Sequence, residues 1–88
     1  MKKGIQLDPK DNVGVVIQDV AAGEEVDFGS FTVCARSDVK TPHKLALADL
    51  PEGTTVIKYG EVIGYTTSDV KKGDFMHVHN IDSEKIMK

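Results

Sequence analysis

One phrase returns three times along this chain. It reads Asp19-Val20-Ala21-Ala22-Gly23-Glu24-Glu25-Val26, then Asp49-Leu50-Pro51-Glu52-Gly53-Thr54-Thr55-Val56, then Asp69-Val70-Lys71-Lys72-Gly73-Asp74-Phe75-Met76. The shared pattern is Asp, apolar, two variable residues, Gly, two more, apolar. Its local physics predicts a corner. Asp caps a single helical turn by accepting from backbone N–H groups that would otherwise be orphaned. Gly supplies the left-handed conformation that ends the turn. The first apolar residue tucks under the turn and the last opens a new strand. The aspartates are 30 and then 20 residues apart, too irregular for a solenoid array. The phrase therefore reads as a recurrent corner in a compact β fold.

Between the corners the pattern is strand-like. Residues 13–18 and 31–36 are short β-rich runs, and 61–67 is another, with Gly64 as a bulge or a point of close approach. Tyr59-Gly60-Glu61 supplies the turn before it. Residues 44–48, bounded by Pro42 and Pro51, read either as strand or as one turn of helix. No stretch has room for a long amphipathic helix. The expected class is all-β, with short strands and single helical turns, in one domain over residues 1–88. Its core is modest, because a chain of 88 residues buries only roughly 60–65% of its unfolded surface. With no Trp, three Phe and two Tyr, aliphatic side chains must supply most of it.

Charge narrows the partners. Eleven Lys and Arg stand against 14 Asp and Glu, for a net charge of −3. No basic stripe is present, so nucleic acid is not expected as a partner. Lys2-Lys3 has no apolar run behind it, so no secretory signal is read, and nothing approaches the length of a membrane span. The lone Cys34 has no internal disulfide partner, which fits a reducing compartment, and cytoplasmic is the expected location. On its strand Cys34 shares a face with Thr32 and Arg36, opposite Val33 and Ala35. Without an activating pattern nearby it is read as a small apolar filler rather than a reactive thiol.

Three short polar segments carry the chemistry. In His77-Val78-His79-Asn80, two imidazoles two residues apart on a strand point to one side and can share an ion or an anionic substrate, while Met76 and Val78 point into the core. Pro42 fixes the backbone before His43-Lys44, and Lys58-Tyr59 leads a cation and a phenol into a glycine turn. Histidines ligate divalent metals or move protons near neutral pH, and lysines neutralise a carboxylate. A metal with a cation would stabilise the enediolate formed when a proton leaves the carbon beside a carboxylate. Three histidines alone are few for a metal site of three or four protein ligands. No nucleophile–base pair, phosphate loop or cysteine cluster is visible. Each segment also has a plainer reading: a solvated histidine face, a turn histidine capping a carbonyl, surface lysines, and Tyr59 as a packing residue.

Taken together these segments resemble a known family. His43-Lys44, an apolar alternation, Asp49-x-x-x-Gly53, Lys58-Tyr59-Gly60-x-x-Ile63-Gly64, Gly73 and His77-x-His79-Asn80 are similar to the N-terminal SAF-type module of the altronate/galactarate dehydratase family. The resemblance spans about residues 13–80, with Pro42 standing where the family commonly has Gly. It implies a β-clip fold and hydro-lyase chemistry that removes water from a sugar acid to give a 2-keto-3-deoxy acid. It also implies a divalent metal, iron or manganese, and a large catalytic subunit as partner. His43, Lys44, Lys58, Tyr59, His77, His79 and Asn80 match the motif positions. His43, His77 and His79 are the candidate catalytic residues, with His77 and His79 the candidate metal ligands. Lys44, Lys58, Tyr59 and Asn80 are the candidate substrate contacts.

The module is similar as well to the small subunit of sulfolactate sulfo-lyase, which eliminates sulfite instead of water. The expectation is a small subunit or SAF domain that is silent alone and is completed by a dehydratase-like chain. Exposed strand edges would dock that chain or a second copy. The reading from another class is a non-catalytic SAF-like module that binds a sugar acid.

Overall fold

Each repeated aspartate reaches across to a second corner instead of into its own turn. Val20 bridges Val39 and Leu50 bridges Val70, both antiparallel. Within the first pair, Asp19 Oδ1 accepts from Thr41 N and Asp38 Oδ1 from Ala22 N, each at 2.9 Å. Within the second, Asp49 Oδ1 accepts from Lys72 N at 2.8 Å and Asp69 Oδ1 from Glu52 N at 2.9 Å. The motif thus occurs four times. The fourth copy is Asp38-Val39-Lys40-Thr41-Pro42-His43-Lys44-Leu45, with Pro42 in the place of glycine and a cis Thr41–Pro42 bond.

The corners are β-turns, which corrects the expected helical turns. Glu24 N, Thr54 N, Asp74 N and His43 N each donate to the carbonyl three residues earlier, at 2.9 to 3.1 Å. Gly23, Gly53 and Gly73 occupy the third position of their turns with φ of 85 to 94°. A left-handed residue there stops the chain from adding an i→i+4 bond, and glycine takes it without strain.

The computed structural model describes residues 1–77 and 79–82. Its strands are β1 (Lys2–Ile5), β2 (Val13–Val16), β3 (Glu25–Asp27), β4 (Thr32–Cys34), β5 (Lys44–Ala46), β6 (Thr55–Lys58), β7 (Glu61–Thr66), β8 (Phe75–Met76) and β9 (Ile81–Asp82). They form a six-stranded sheet in the order β4-β3-β1-β2-β5-β8 and a three-stranded sheet in the order β6-β7-β9. Among the described residues only β1 and β3 run parallel, and the other neighbouring strands are antiparallel. No helix occurs among the described residues, and none is therefore long and apolar enough to cross a membrane. The all-β, β-clip expectation holds.

Residues 44–46 resolve to strand, because β5 is paired on both sides, by β2 and by β8. Two apolar clusters, mostly aliphatic, fill the interior. One gathers Val16, Val20, Val26, Phe28, Val33, Ala35, Val39 and Leu45; the other gathers Val13, Ala46, Leu50, Val56, Val70 and Met76. The apolar second residue of every corner is in one of them, which is the burial the phrase required. Met76 is fully buried as expected, and Val78 lies outside the described residues. Val33 in β4 and Ala35 just after it face inward, but Cys34 is exposed and so does not fill the core. It lies on the outer face of an edge strand.

Gly64 serves in both expected ways. The β6–β7 register shifts between Val56, paired with Gly64, and Ile57, paired with Val62, leaving Ile63 as the extra residue. A Cβ on Gly64 would sit 2.7 Å from Ile81 Cγ2 and 2.9 Å from the Asp82 carbonyl oxygen.

Candidate functional site

Lys44 begins β5 and His43 immediately precedes it, where the fourth corner delivers them. His77 follows β8, the neighbour of β5 in the sheet. That adjacency brings two sequence-distant histidines together. The His43 and His77 ring centroids are 4.9 Å apart and the planes are 88° to each other. His43 Nδ1 lies 2.9 Å from the Lys40 carbonyl oxygen. A carbonyl only accepts, so neutral His43 carries its proton on Nδ1 and keeps Nε2 as the basic nitrogen.

The strand expected for His77-x-His79 is a tight turn. The His77 carbonyl accepts from both Asn80 N and Ile81 N at 3.0 Å. Asn80 is buried, and its side chain holds this turn: Oδ1 accepts from His77 N and Nδ2 donates to the Phe75 carbonyl, both at 2.9 Å. A buried amide satisfied at both ends positions His77, and that is the task its geometry gives it. His79 lies in the same turn, adds to the lowering of the His77 pKa and packs its ring against Phe75. Among the described residues the imidazole in ring contact with His77 is that of His43. His79 is exposed and lines a groove with Ser37, Ser68, Asp69, Asp74, Phe75 and Asn80.

Phe75 is the residue that the sequence did not single out. Its ring stands 5.4 Å from His43, 5.9 Å from His77 and 5.3 Å from His79. The sequence carried a faint signal, since the corresponding place in the other two phrases holds Glu25 and Thr55.

Electrostatics make the cluster positive. Burial pushes the Lys44 ammonium below its ordinary pKa, and the nearby Lys58 charge lowers it further. Desolvation lowers His77 as well, reinforced by His43, Lys44 and His79. Beside desolvation, both shifts record cationic neighbours, with no carboxylate offsetting them among the described residues. Neither Lys44 nor Lys58 forms an ion pair among the described residues. Lys58 ends β6 and leads into Tyr59, whose ring lies 5.0 Å beneath its ammonium.

Two half-buried cations and two imidazoles, without a counter-ion among the described residues, can receive an anion and hold or accept a proton beside it. A metal is a poorer match to this chain alone. No three His, Cys, Asp or Glu side chains gather into a cation site among the described residues, whereas stable sites use three or four protein ligands.

Comparison with known proteins adds an independent line. Residues 2–84 match the family described as altronate/galactarate dehydratase SAF domain. The altronate dehydratase of Escherichia coli is 45% identical over 76 residues, which is 86% of this chain and 15% of that enzyme. The altronate dehydratase of Bacillus subtilis is 34% identical over 80 residues, 91% of this chain and 16% of the enzyme. The (2R)-sulfolactate sulfo-lyase subunit alpha of Paracoccus pantotrophus is 39% identical over 59 residues, 67% of this chain and 88% of that subunit. The chain thus spans about one-sixth of the dehydratases it matches and nearly the whole of a lyase subunit.

Proposed function

This chain belongs to the altronate/galactarate dehydratase SAF domain family, and from that premise we propose that it is the carboxylate-holding unit of a lyase acting on a hydroxylated acid. The observation that carries the proposal is the convergence of Lys44, Lys58, His43 and His77 without a counter-ion among the described residues. On this reading the substrate is a sugar acid of the altronate or galactarate type, and a larger catalytic polypeptide forms the rest of the cleft. A divalent metal, iron or manganese, would belong to the assembled enzyme, and most of its ligands would lie outside this chain.

The chemistry assigns work to each group. Elimination begins when a proton leaves the carbon next to the carboxylate, placing negative charge on the carboxylate oxygens. Lys44 and Lys58 face that charge, and a partly desolvated ammonium interacts with it more strongly than one in water. His77, held neutral by its lowered pKa, is suited to accept a proton near pH 7. His43 presents a basic Nε2 beside it. Hydroxide then leaves the next carbon, and the enol rearranges to the 2-keto-3-deoxy acid. His79 and Tyr59 border the cluster through Phe75 and Lys58.

Sulfite is the alternative leaving group. The observation favouring it is the near-complete coverage of the sulfo-lyase subunit. The carboxylate clamp would serve both reactions.

The test is to purify the tagged chain from its native cells with whatever it binds and to supply iron or manganese. Keto-acid formation is assayed from altronate, galactarate and sulfolactate. We expect activity in the assembly, none in the chain alone, and loss of at least tenfold in Lys44→Ala and His77→Ala. Turnover by the isolated chain, or full activity in both variants, would refute the proposal.

A further inference from the structure

β6 and β7 are joined by the two-residue loop Tyr59-Gly60, and both residues have positive φ, 55° and 77°. This is the type I′ pattern, whose first position favours Asn, Asp or Gly. Tyr59 is the only non-glycine residue with positive φ among the described residues. A bulky side chain is disfavoured in that conformation and persists where the surroundings over-determine it.

The surroundings do so without using the phenol. Asp11, only 5% exposed, accepts from Gly60 N at 2.8 Å and Asp8 N at 3.2 Å. Asn12 adds a second clasp, donating from its backbone N to the Ile57 carbonyl and accepting from Ile57 N on Oδ1. Tyr59 as a whole is 42% exposed and belongs to neither core cluster. Packing therefore gives no reason for a tyrosine here. What the ring does contact is the Lys58 ammonium, 5.0 Å from its centroid.

We infer that Tyr59 is a positioning residue, whose left-handed backbone sets an aromatic platform under Lys58 and so holds that ammonium beside Lys44 as the second prong of a carboxylate clamp. The inference rests on the anion-site reading above and deepens it: a strained loop residue would be kept for the orientation of its neighbour. Without the platform, Lys58 has no other partner among the described residues and would sample the rotamers of a surface lysine.

The test uses the whole chain with galactarate as probe, comparing wild type, Tyr59→Asn and Tyr59→Phe. Asn suits the backbone and removes the ring, whereas Phe keeps the ring and removes the hydroxyl. We expect Tyr59→Asn to melt a few degrees higher yet bind galactarate about threefold more weakly, the scale of an exposed cation–π contact. Tyr59→Phe should bind as wild type does. The Lys58 ε-protons should be shifted upfield by the ring in wild type and Tyr59→Phe but not in Tyr59→Asn. Equal galactarate binding in wild type and Tyr59→Asn would overturn the positioning role while leaving the clamp intact. Absence of galactarate binding in wild type would overturn the clamp, and this role with it.

Discussion

His43 and His77 meet edge to face at 4.9 Å, with His43 anchored through Nδ1 to the Lys40 carbonyl. The pair stands beside Lys44, and desolvation together with these neighbours lowers the pKa of His77. Between that lowered value and the ordinary 6.5, the unfolded chain binds more protons than the folded one. Stability should therefore fall as pH drops from 6.5 through the folded pKa, and level off below it. Urea unfolding at a series of pH values should show this limb, and His77→Ala should flatten it.

The crossed aspartates lock one corner to another, so their removal should be felt at the partner corner. Asp49→Ala should cost about 1 kcal/mol, the scale of a lost backbone cap. Hydrogen exchange should show the Lys72 amide, three residues into the opposite corner, losing protection. Loss of protection confined to residues near Asp49 would contradict the cross-corner assignment.

Gly23 and Gly73 hold the same place in the repeat but should respond differently to alanine. A Cβ on Gly23 meets nothing within 4 Å, so only the left-handed backbone resists, at about 1–2 kcal/mol. A Cβ on Gly73 would run into the Cys34 carbonyl oxygen and come within 3.2 Å of Arg36 Cγ. Gly73→Ala should therefore lose about 1–3 kcal/mol more, from overpacking against backbone. Chemical denaturation of the two variants side by side measures the difference.

Asn80→Ala removes both side-chain bonds that brace the turn after β8. Leaving the Phe75 carbonyl and His77 amide without their partner should cost about 2 kcal/mol. The His77 ring resonances should move with it, since its backbone loses its tether. A variant that is equally stable with unmoved His77 signals would show that Asn80 has no such hold.

Much of this was legible in the sequence. Alternating β-branched residues and a recurring Asp-apolar-x-x-Gly phrase were enough for a β fold turned by corners, and the bulge at Gly64 followed from a glycine within a strand pattern. The partner of each corner was not legible, because Asp19 to Thr41 and Asp49 to Lys72 are contacts across 22 and 23 residues. Pro42 hid the fourth copy by replacing the glycine on which the phrase was recognised. The two-residue strands β8 and β9 are defined by their neighbours more than by their own composition, so the His-x-His segment looked extended where Asn80 folds it into a turn. The site's residue types were visible, but the pairing of His43 with His77 depends on β5 lying beside β8.

The most direct test of the central claim is a titration of the isolated chain with galactarate, followed by the ring resonances of His43 and His77, with uncharged galactitol as control. The prediction is a saturable change at both rings with galactarate alone, a His77 pKa that rises when the anion is bound, and marked weakening in Lys44→Ala. Rings that do not respond, or that respond equally to galactitol, would contradict the assignment of this cluster as a carboxylate site.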